Sequence, residues 1–269
     1  MRYRPWNELS AGEGEAALRA AGVPALCAKV LSARGMTDPA QAHRFLFEAP
    51  PLLDPMGLKD MDKAVARLNK ALENGETVAV YGDYDVDGIT ATCLMTDFLR
   101  GEGGTVIPYI PNRLEEGYGL NRPAVEKLKE EGARVIITVD CGVTAVEEAA
   151  YAASLGLDVI ITDHHECKDP LPAALAVVDP HRSDCPYPFK QLAGVGVALK
   201  VCMALAGRSR QEELLDRYAD LTALGTVADV MSLTEENRTI VRKGLEALPQ
   251  SDRPGLRALL REAGVEGKA

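Results

Sequence analysis

Asp83-Tyr84-Asp85-Val86-Asp87-Gly88 follows the apolar run Val78-Ala79-Val80-Tyr81 and precedes a helix-like stretch over 89–99, and this passage decides the fold. A run of Val and Ala bounded by charge and Gly reads as a strand covered on both faces. Its three acids then emerge at the carboxyl edge of a parallel sheet, where open α/β sheets bind ligands. Carboxylates this close repel one another, so keeping all of them ionised calls for a cation, and oxygen ligands favour a hard divalent ion such as magnesium or manganese. The same spacing, D-x-D-x-D-G, begins a calcium-binding EF-hand loop. The final bidentate position of such a loop falls on Leu94, however, and a strand stands where that motif needs a helix. A solvated acidic turn with Gly88 at a tight bend is the plainer alternative.

Outward from this stretch the chain alternates strand and helix. Apolar runs at 106–110, 135–139, 159–161 and 175–178 read as further strands, with helical patterns at 123–131 and 145–155 between them. Alternation at this spacing predicts an α/β fold with a parallel sheet of about five strands, flanked by helices and joined by right-handed crossovers. Upstream, helical periodicity at 13–20, 24–32 and 39–47 predicts a small helical N-terminal cap over 1–55, broken by Pro50-Pro51 and Asp54-Pro55. A helix over 61–73 stops at Asn74-Gly75 and feeds the first strand. Beyond Pro188 the pattern is helical, at 195–206, 211–224, 237–248 and 254–262. The expected organisation is a cap over 1–55, an α/β domain over 56–233, and a helical segment over 234–269 that leads into an interdomain linker.

The chain has 269 residues, 46% hydrophobic and 26% charged, enough to bury a sizeable core. No apolar run reaches membrane-spanning length, and the start, Met1-Arg2-Tyr3-Arg4-Pro5-Trp6, lacks the apolar core of a secretion signal, which predicts a cytoplasmic protein without a membrane partner. Six cysteines without a C-x-x-C pair indicate neither a zinc knuckle nor a disulfide framework. The net charge of -10 argues against charge-driven, non-specific binding to nucleic acid. It leaves room for a nucleic-acid enzyme, because cations bound at a carboxylate-rich site would offset that charge locally.

Two strands echo each other: Arg134-Val-Ile-Ile-Thr-Val-Asp140 and Asp158-Val-Ile-Ile-Thr-Asp163 both run through Thr to a final acid. Their ends lie on the same sheet edge as Asp83, Asp85 and Asp87, so Asp140-Cys141-Gly142 and Asp163-His164-His165-Glu166 join one predicted crevice. Only four His occur in the chain, and two stand side by side here. Neutral imidazole is a ligand for manganese, iron or zinc, and a proton donor when unliganded. Gly194 and Gly196 open a helix whose free amides can receive an anion, or they allow tight entry into a packed helix.

On these motifs the chain resembles the DHH phosphoesterase superfamily and, within it, the bacterial single-strand-specific 5′ to 3′ exonucleases. The resemblance rests on Tyr81-Gly-Asp-Tyr-Asp-Val-Asp-Gly88, Pro111-Asn-Arg-Leu-Glu-Glu-Gly-Tyr-Gly119, Thr138-Val-Asp-Cys-Gly142, Thr162-Asp-His-His-Glu166, Val178-Asp-Pro-His-Arg182, Leu192-Ala-Gly-Val-Gly196 and Leu224-Gly-Thr-Val-Ala-Asp229. It implies that Asp85, Asp87, Asp140, His164 and Asp229 hold two divalent ions, Mn2+ first and Mg2+ as the alternative, with Asp140 bridging. Where related enzymes often carry His this chain has Tyr81, so Asp83 is a further candidate ligand.

The resemblance also implies that His165 faces the scissile phosphate and that Asp163 orients the histidines. Arg113, Tyr118, His181 and Arg182 become candidate contacts to substrate. A solvated loop charge for Arg113, and a turn built on Asp179-Pro180 for His181 and Arg182, are the simpler readings. The implied activity is metal-assisted phosphodiester hydrolysis on single-stranded DNA in recombination and repair, with a single-strand-binding protein or a helicase as candidate partner. Two alternatives stand beside it: a phosphoesterase of short oligonucleotides or cyclic dinucleotides, and a non-catalytic DHH binding module. Nothing after Leu233 resembles the Gly-rich, His-containing second domain of DHH enzymes, so the expectation is a truncated catalytic core with weak processivity.

Overall fold

A computed structural model describes residues 13–117 and 119–265. The chain divides into two compact units, Met1–Pro50 and Pro51–Ala269. The first unit holds α1 (Glu15–Ala20), α2 (Ala25–Ala33) and α3 (Pro39–Phe47), packed on Leu18, Val23, Ala28, Leu31 and Ala42. Asp38 starts α3 by accepting the amides of Ala40 and Gln41, with Pro39 at the first helical position. The segment expected to lead into a linker, 234–269, falls within the second unit.

In the second unit, α4 (Met61–Glu73) leads into β1 (Thr77–Tyr81), followed by α5 (Val86–Gly101), β2 (Thr105–Tyr109), α6 (Arg122–Glu130), β3 (Ala133–Val139), α7 (Val146–Ser154), β4 (Asp158–Thr162) and β5 (Ala176–Val178). All five strands are parallel, in the order β2-β1-β3-β4-β5. The fold is thus the expected α/β architecture, with its topological switch point between β1 and β3, where such sheets open a crevice. The remaining helices are α8 (Gly194–Ala206), α9 (Gln211–Ala228), α10 (Glu235–Ala247) and α11 (Pro254–Glu262).

Two cores explain why the strands read as continuous apolar runs. On one face Val78, Val80, Val135, Ile137 and Ile160 pack with Leu94, Met95, Phe98, Val195 and Leu199. On the other, Ala79, Tyr81, Ile136, Val159 and Ile161 pack with Val125, Leu128 and Ala152. Alternate residues of each strand thus enter opposite layers, the period-2 rule of a sheet covered on both sides. Helix α8 is apolar almost all round because it is buried almost all round. Among the described residues no helix is long and apolar enough to cross a membrane.

Candidate metal centre

The sheet register lines up the acids. Val139 pairs with Thr162 and Thr162 with Val178, so Asp140, Asp163 and Asp179 stand one step beyond on three adjacent strands, spaced by the ~4.8 Å of the ladder. The ladder continues into them: Asp140 N donates to Thr162 O at 3.1 Å and Asp163 N to Val178 O at 3.2 Å. Buried threonines tie the strand ends, Thr162 Oγ1 to Thr138 O and Thr138 Oγ1 to Cys141 O, each at 2.7 Å. That second bond closes the turn in which Asp140 takes a left-handed φ of 63°, a conformation that costs energy in a non-glycine residue and is found where a site demands it.

Beyond β1 the chain turns into α5. Asp85 caps that helix by accepting Gly88 N at 2.9 Å, and Gly88 is required because a Cβ there would meet the Asp83 backbone at 2.6 Å. Asp87, in the first turn, is buried, and its two oxygens accept Gly194 N at 2.6 Å and Val195 N at 2.8 Å. The N-terminus of α8 therefore does receive an anion, and that anion is the protein's own carboxylate. At Gly225 a Cβ would lie 2.5 Å from Thr90 Oγ1 and 2.8 Å from Asp87 Oδ1, so α9 closes on α5 at that point and brings Asp229, its C-cap, toward the strand ends.

His164 Nε2 collects these elements. It lies 3.1 Å from Asp140 Oδ1, 3.7 Å from Asp229 Oδ2 and 3.8 Å from Asp87 Oδ2. Three ligand groups have their donor atoms within 4.8 Å of one another: Asp83, Asp85 and Asp140; Asp87, His164 and Asp229; and Asp140, His164 and His165. The five residues expected as ligands are thus brought together, Asp83 stands with them, and Asp140 belongs to groups on both sides. Tyr81 is turned away, its hydroxyl donating to Gly119 O at 2.8 Å and accepting from Asn121 Nδ2 at 3.1 Å.

The donor set fits divalent cations. Asp83 Oδ1, Asp140 Oδ1 and His164 Nε2 are all buried without a hydrogen-bond partner, an arrangement that is expensive unless a cation takes their lone pairs. Burial, and then the charge of the neighbouring carboxylates, pushes Asp87 and Asp140 well above the usual carboxylate range; burial likewise raises Asp83. A bound divalent ion reverses this logic and favours the ionised carboxylates.

Asp163 is buried too, yet the hydrogen bond and charge of His165 and the amide of Val143 outweigh burial and hold it below the usual range. Its Oδ1 accepts His165 Nδ1 at 2.7 Å and the backbone amides of His164 and His165, and its Oδ2 accepts Val143 N at 2.9 Å. The side-chain partner of Asp163 is therefore His165, whose affinity for a proton it raises; its bond to His164 is to the amide.

The candidate substrate contacts separate. Arg113 is exposed, with its guanidinium 5.1 Å from the centre of the Tyr84 ring, beside the acidic loop. Tyr118 lies outside the described residues. The Arg182 guanidinium is committed elsewhere, to Asp60 Oδ2 at 2.6 Å, Val177 O at 2.7 Å and both oxygens of Asp184 at 2.9 Å. His181 donates its amide to Asp179 Oδ1 at 2.7 Å, which is the turn built on Asp179-Pro180. Sequence reasoning missed Asp179 as a member of the acidic row; it is fully buried, and burial raises its pKa to about 7. Its signal was present as Val178-Asp179, the same apolar-then-acid strand ending as at Val139-Asp140.

The sequence pattern of the DHH family, N-terminal domain, matches residues 77–226. The single-stranded-DNA-specific exonuclease RecJ of Bacillus subtilis is 45% identical over 240 residues, covering 89% of this chain and 30% of that protein. Two solved structures of RecJ from Thermus thermophilus are similar: one in complex with Mn2+ at TM-score 0.74 and 34% identity, covering 93% of this chain and 35% of the other, and one in complex with Mg2+ at TM-score 0.64 and 31% identity, covering 93% and 32%. The chain thus spans about a third of the length of these relatives.

Proposed function

Because the chain belongs to the DHH family, we propose that it is a metal-dependent phosphodiesterase core that hydrolyses single-stranded DNA, with 56–233 as its catalytic domain. The observation that carries this reading is the convergence of Asp83, Asp85, Asp87, Asp140, His164 and Asp229 on one sheet edge, with unpartnered buried lone pairs on three of them. The RecJ relatives are single-stranded-DNA-specific exonucleases, and the solved ones hold Mn2+ or Mg2+. We carry over that substrate and both ions, with Mn2+ as first choice, and keep the 5′ to 3′ direction that the resemblance of the motifs implies.

Asp83, Asp85 and Asp140 would hold one ion, and Asp87, His164 and Asp229 a second, with Asp140 between them. Two divalent ions bound there would supply a hydroxide nucleophile at neutral pH and stabilisation of the attacking and leaving oxygens. The chain's own groups do the rest. The α8 amides lock Asp87, so its oxygens do not swing with substrate. Asp163 holds His165 by Nδ1 and supports its protonated form, the form that would donate a proton to a phosphate or leaving-group oxygen. Arg113, whose guanidinium lies 5.1 Å from the centre of the Tyr84 ring, would pair with a phosphate at the mouth. A single-strand-binding protein or helicase delivering the strand belongs to the same proposal.

The test is degradation of end-labelled single-stranded DNA with Mn2+, comparing the chain with Asp140→Ala and with duplex substrate. Shortening of single strands that disappears in the variant supports the reading. A chain that neither binds Mn2+ nor loses activity on Asp140→Ala overturns it.

A further inference from the structure

Helix α9 ends on Asp229 in a turn of unusual composition. Val230 N donates to Val227 O at 3.1 Å and Met231 N to Thr226 O at 3.2 Å, with φ 58° at Val230. These are the paired bonds of a Schellman closure, whose left-handed position ordinarily belongs to Gly or Asn. A β-branched residue there is an outlier, because its Cβ crowds the backbone. The apolar contact that usually accompanies this closure is available from Met231, which packs against the core. Val230 contributes little packing in return for its strain, since it is 87% exposed.

Its location gives the side chain something else to do. It follows directly on Asp229, whose Oδ2 lies 3.7 Å from His164 Nε2, and Val227, one turn back, is also exposed. The helix end that supplies Asp229 therefore also carries two exposed apolar side chains, whereas the cationic and aromatic pair, Arg113 on Tyr84, belongs to the Asp83 side. A strand crossing this site presents anionic phosphates and flat apolar faces. The carboxylates repel the phosphates except through bound cations and the protonated His165, so exposed apolar side chains beside Asp229 offer a strand a contact of a different kind, with its flat apolar faces, which is tolerant of sequence.

We infer that Val230 contacts the apolar face, base or deoxyribose, of a nucleotide next to the scissile phosphate, and that its left-handed strain is retained for that contact. The inference rests on the proposed activity and adds a substrate-positioning residue to it.

Val230→Gly and Val230→Asn separate this role from a structural one, because both residues accept the left-handed conformation and neither offers the apolar side chain. Both variants are expected to melt roughly 2–4 °C higher than the wild type and to bind Mn2+ unchanged by calorimetry. Their affinity for a fluorescent single-stranded oligodeoxynucleotide, read by anisotropy, is expected to fall on the order of fivefold to tenfold. Variants that bind the strand as tightly as the wild type, or that melt lower, overturn the inference while leaving the proposed activity standing. A wild-type chain that binds neither Mn2+ nor the strand overturns both.

Discussion

Gly194 closes on Asp140 so tightly that a Cβ at position 194 would stand 2.5 Å from Asp140 Cβ and closer still to Asp140 Oδ1. The amide of the same residue donates to Asp87 Oδ2. One helix start thus fixes one candidate ligand and makes room for another. The helical backbone at 194 accepts alanine, so Gly194→Ala tests the contact alone. Relieving the clash must move Asp140 or α8, at a cost of about 1–3 kcal/mol. Mn2+ affinity should fall at least tenfold by titration calorimetry; unchanged affinity would mean that Asp140 yields without consequence for the ion.

Burial raises the cost of ionising both Asp87 and Asp140, and neighbouring carboxylates add to it, Asp140 at Asp87 and Asp85, Asp163 and Asp229 at Asp140. A cation that binds only the folded state stabilises it by mass action, by about 2.7 kcal/mol at a hundredfold excess over its dissociation constant. Melting temperature should therefore climb with Mn2+ concentration. Asp140→Asn removes one of the repelling charges, so its metal-free form should melt no lower than the wild type, while its gain on adding Mn2+ should largely vanish. Scanning calorimetry with and without Mn2+ reads both effects, and an undiminished gain would remove Asp140 from the centre.

The sheet and the acidic row were legible because they are written locally. Apolar runs of strand length ending in acid occur at Tyr81, Val139, Thr162 and Val178, and parallel pairing alone puts such ends on one edge. The cradle around that row was not legible. Asp87 meets the amide of Gly194 across 107 positions of sequence, and a G-x-G before a helix reads the same whether its amides receive a substrate anion or an internal carboxylate. Arg182 shows the same limit. Beside His181 and after a strand it looks like a phosphate contact, and only the fold brings Asp60, 122 positions away, onto its guanidinium.

Arg113 and Arg182, alike in the sequence, should part in experiment. Arg113→Ala removes an exposed side chain, so stability should change by less than about 0.5 kcal/mol, while affinity for a single-stranded oligonucleotide drops about tenfold. Arg182→Ala strips its partners from Asp60, Asp184 and Val177 O on the edge strand β5 and should cost about 2–4 kcal/mol in urea unfolding. The pH dependence follows from Asp60. Burial would raise its pKa, but the hydrogen bonds from Lys63 and Arg182 hold it below its ordinary 3.8. Its contribution is therefore complete above that ordinary value and is lost as pH falls through the lower, folded-state value. The stability gap between wild type and Asp60→Asn should be about 1–2 kcal/mol at pH 6 and shrink as pH falls below 3.8. A gap that widened on acidification would contradict the pairing.

Lys200 carries the other buried charge whose removal can be predicted. Fully buried in α8, its Nζ donates to Glu236 Oε1 and to Leu53 O, while Glu236 also accepts Leu53 N at 2.8 Å and Tyr187 Oη at 2.6 Å. Lys200→Met leaves a buried carboxylate with two neutral donors and no counter-charge, which should cost about 3–5 kcal/mol. Adding Glu236→Gln removes the stranded charge, keeps an acceptor for Leu53 N and places an amide that can donate to Tyr187 Oη in place of accepting from it, so the double variant should recover most of the loss. The site should feel the single change as well. Asn237, next to Glu236, donates to both Gln191 O and Ser232 O, and these loops lead to Gly194 and away from Asp229. Mn2+ affinity should fall in Lys200→Met and return in the double variant. A double variant as unstable as the single one would show that packing of the lysine stem, rather than charge balance, secures this part of the fold.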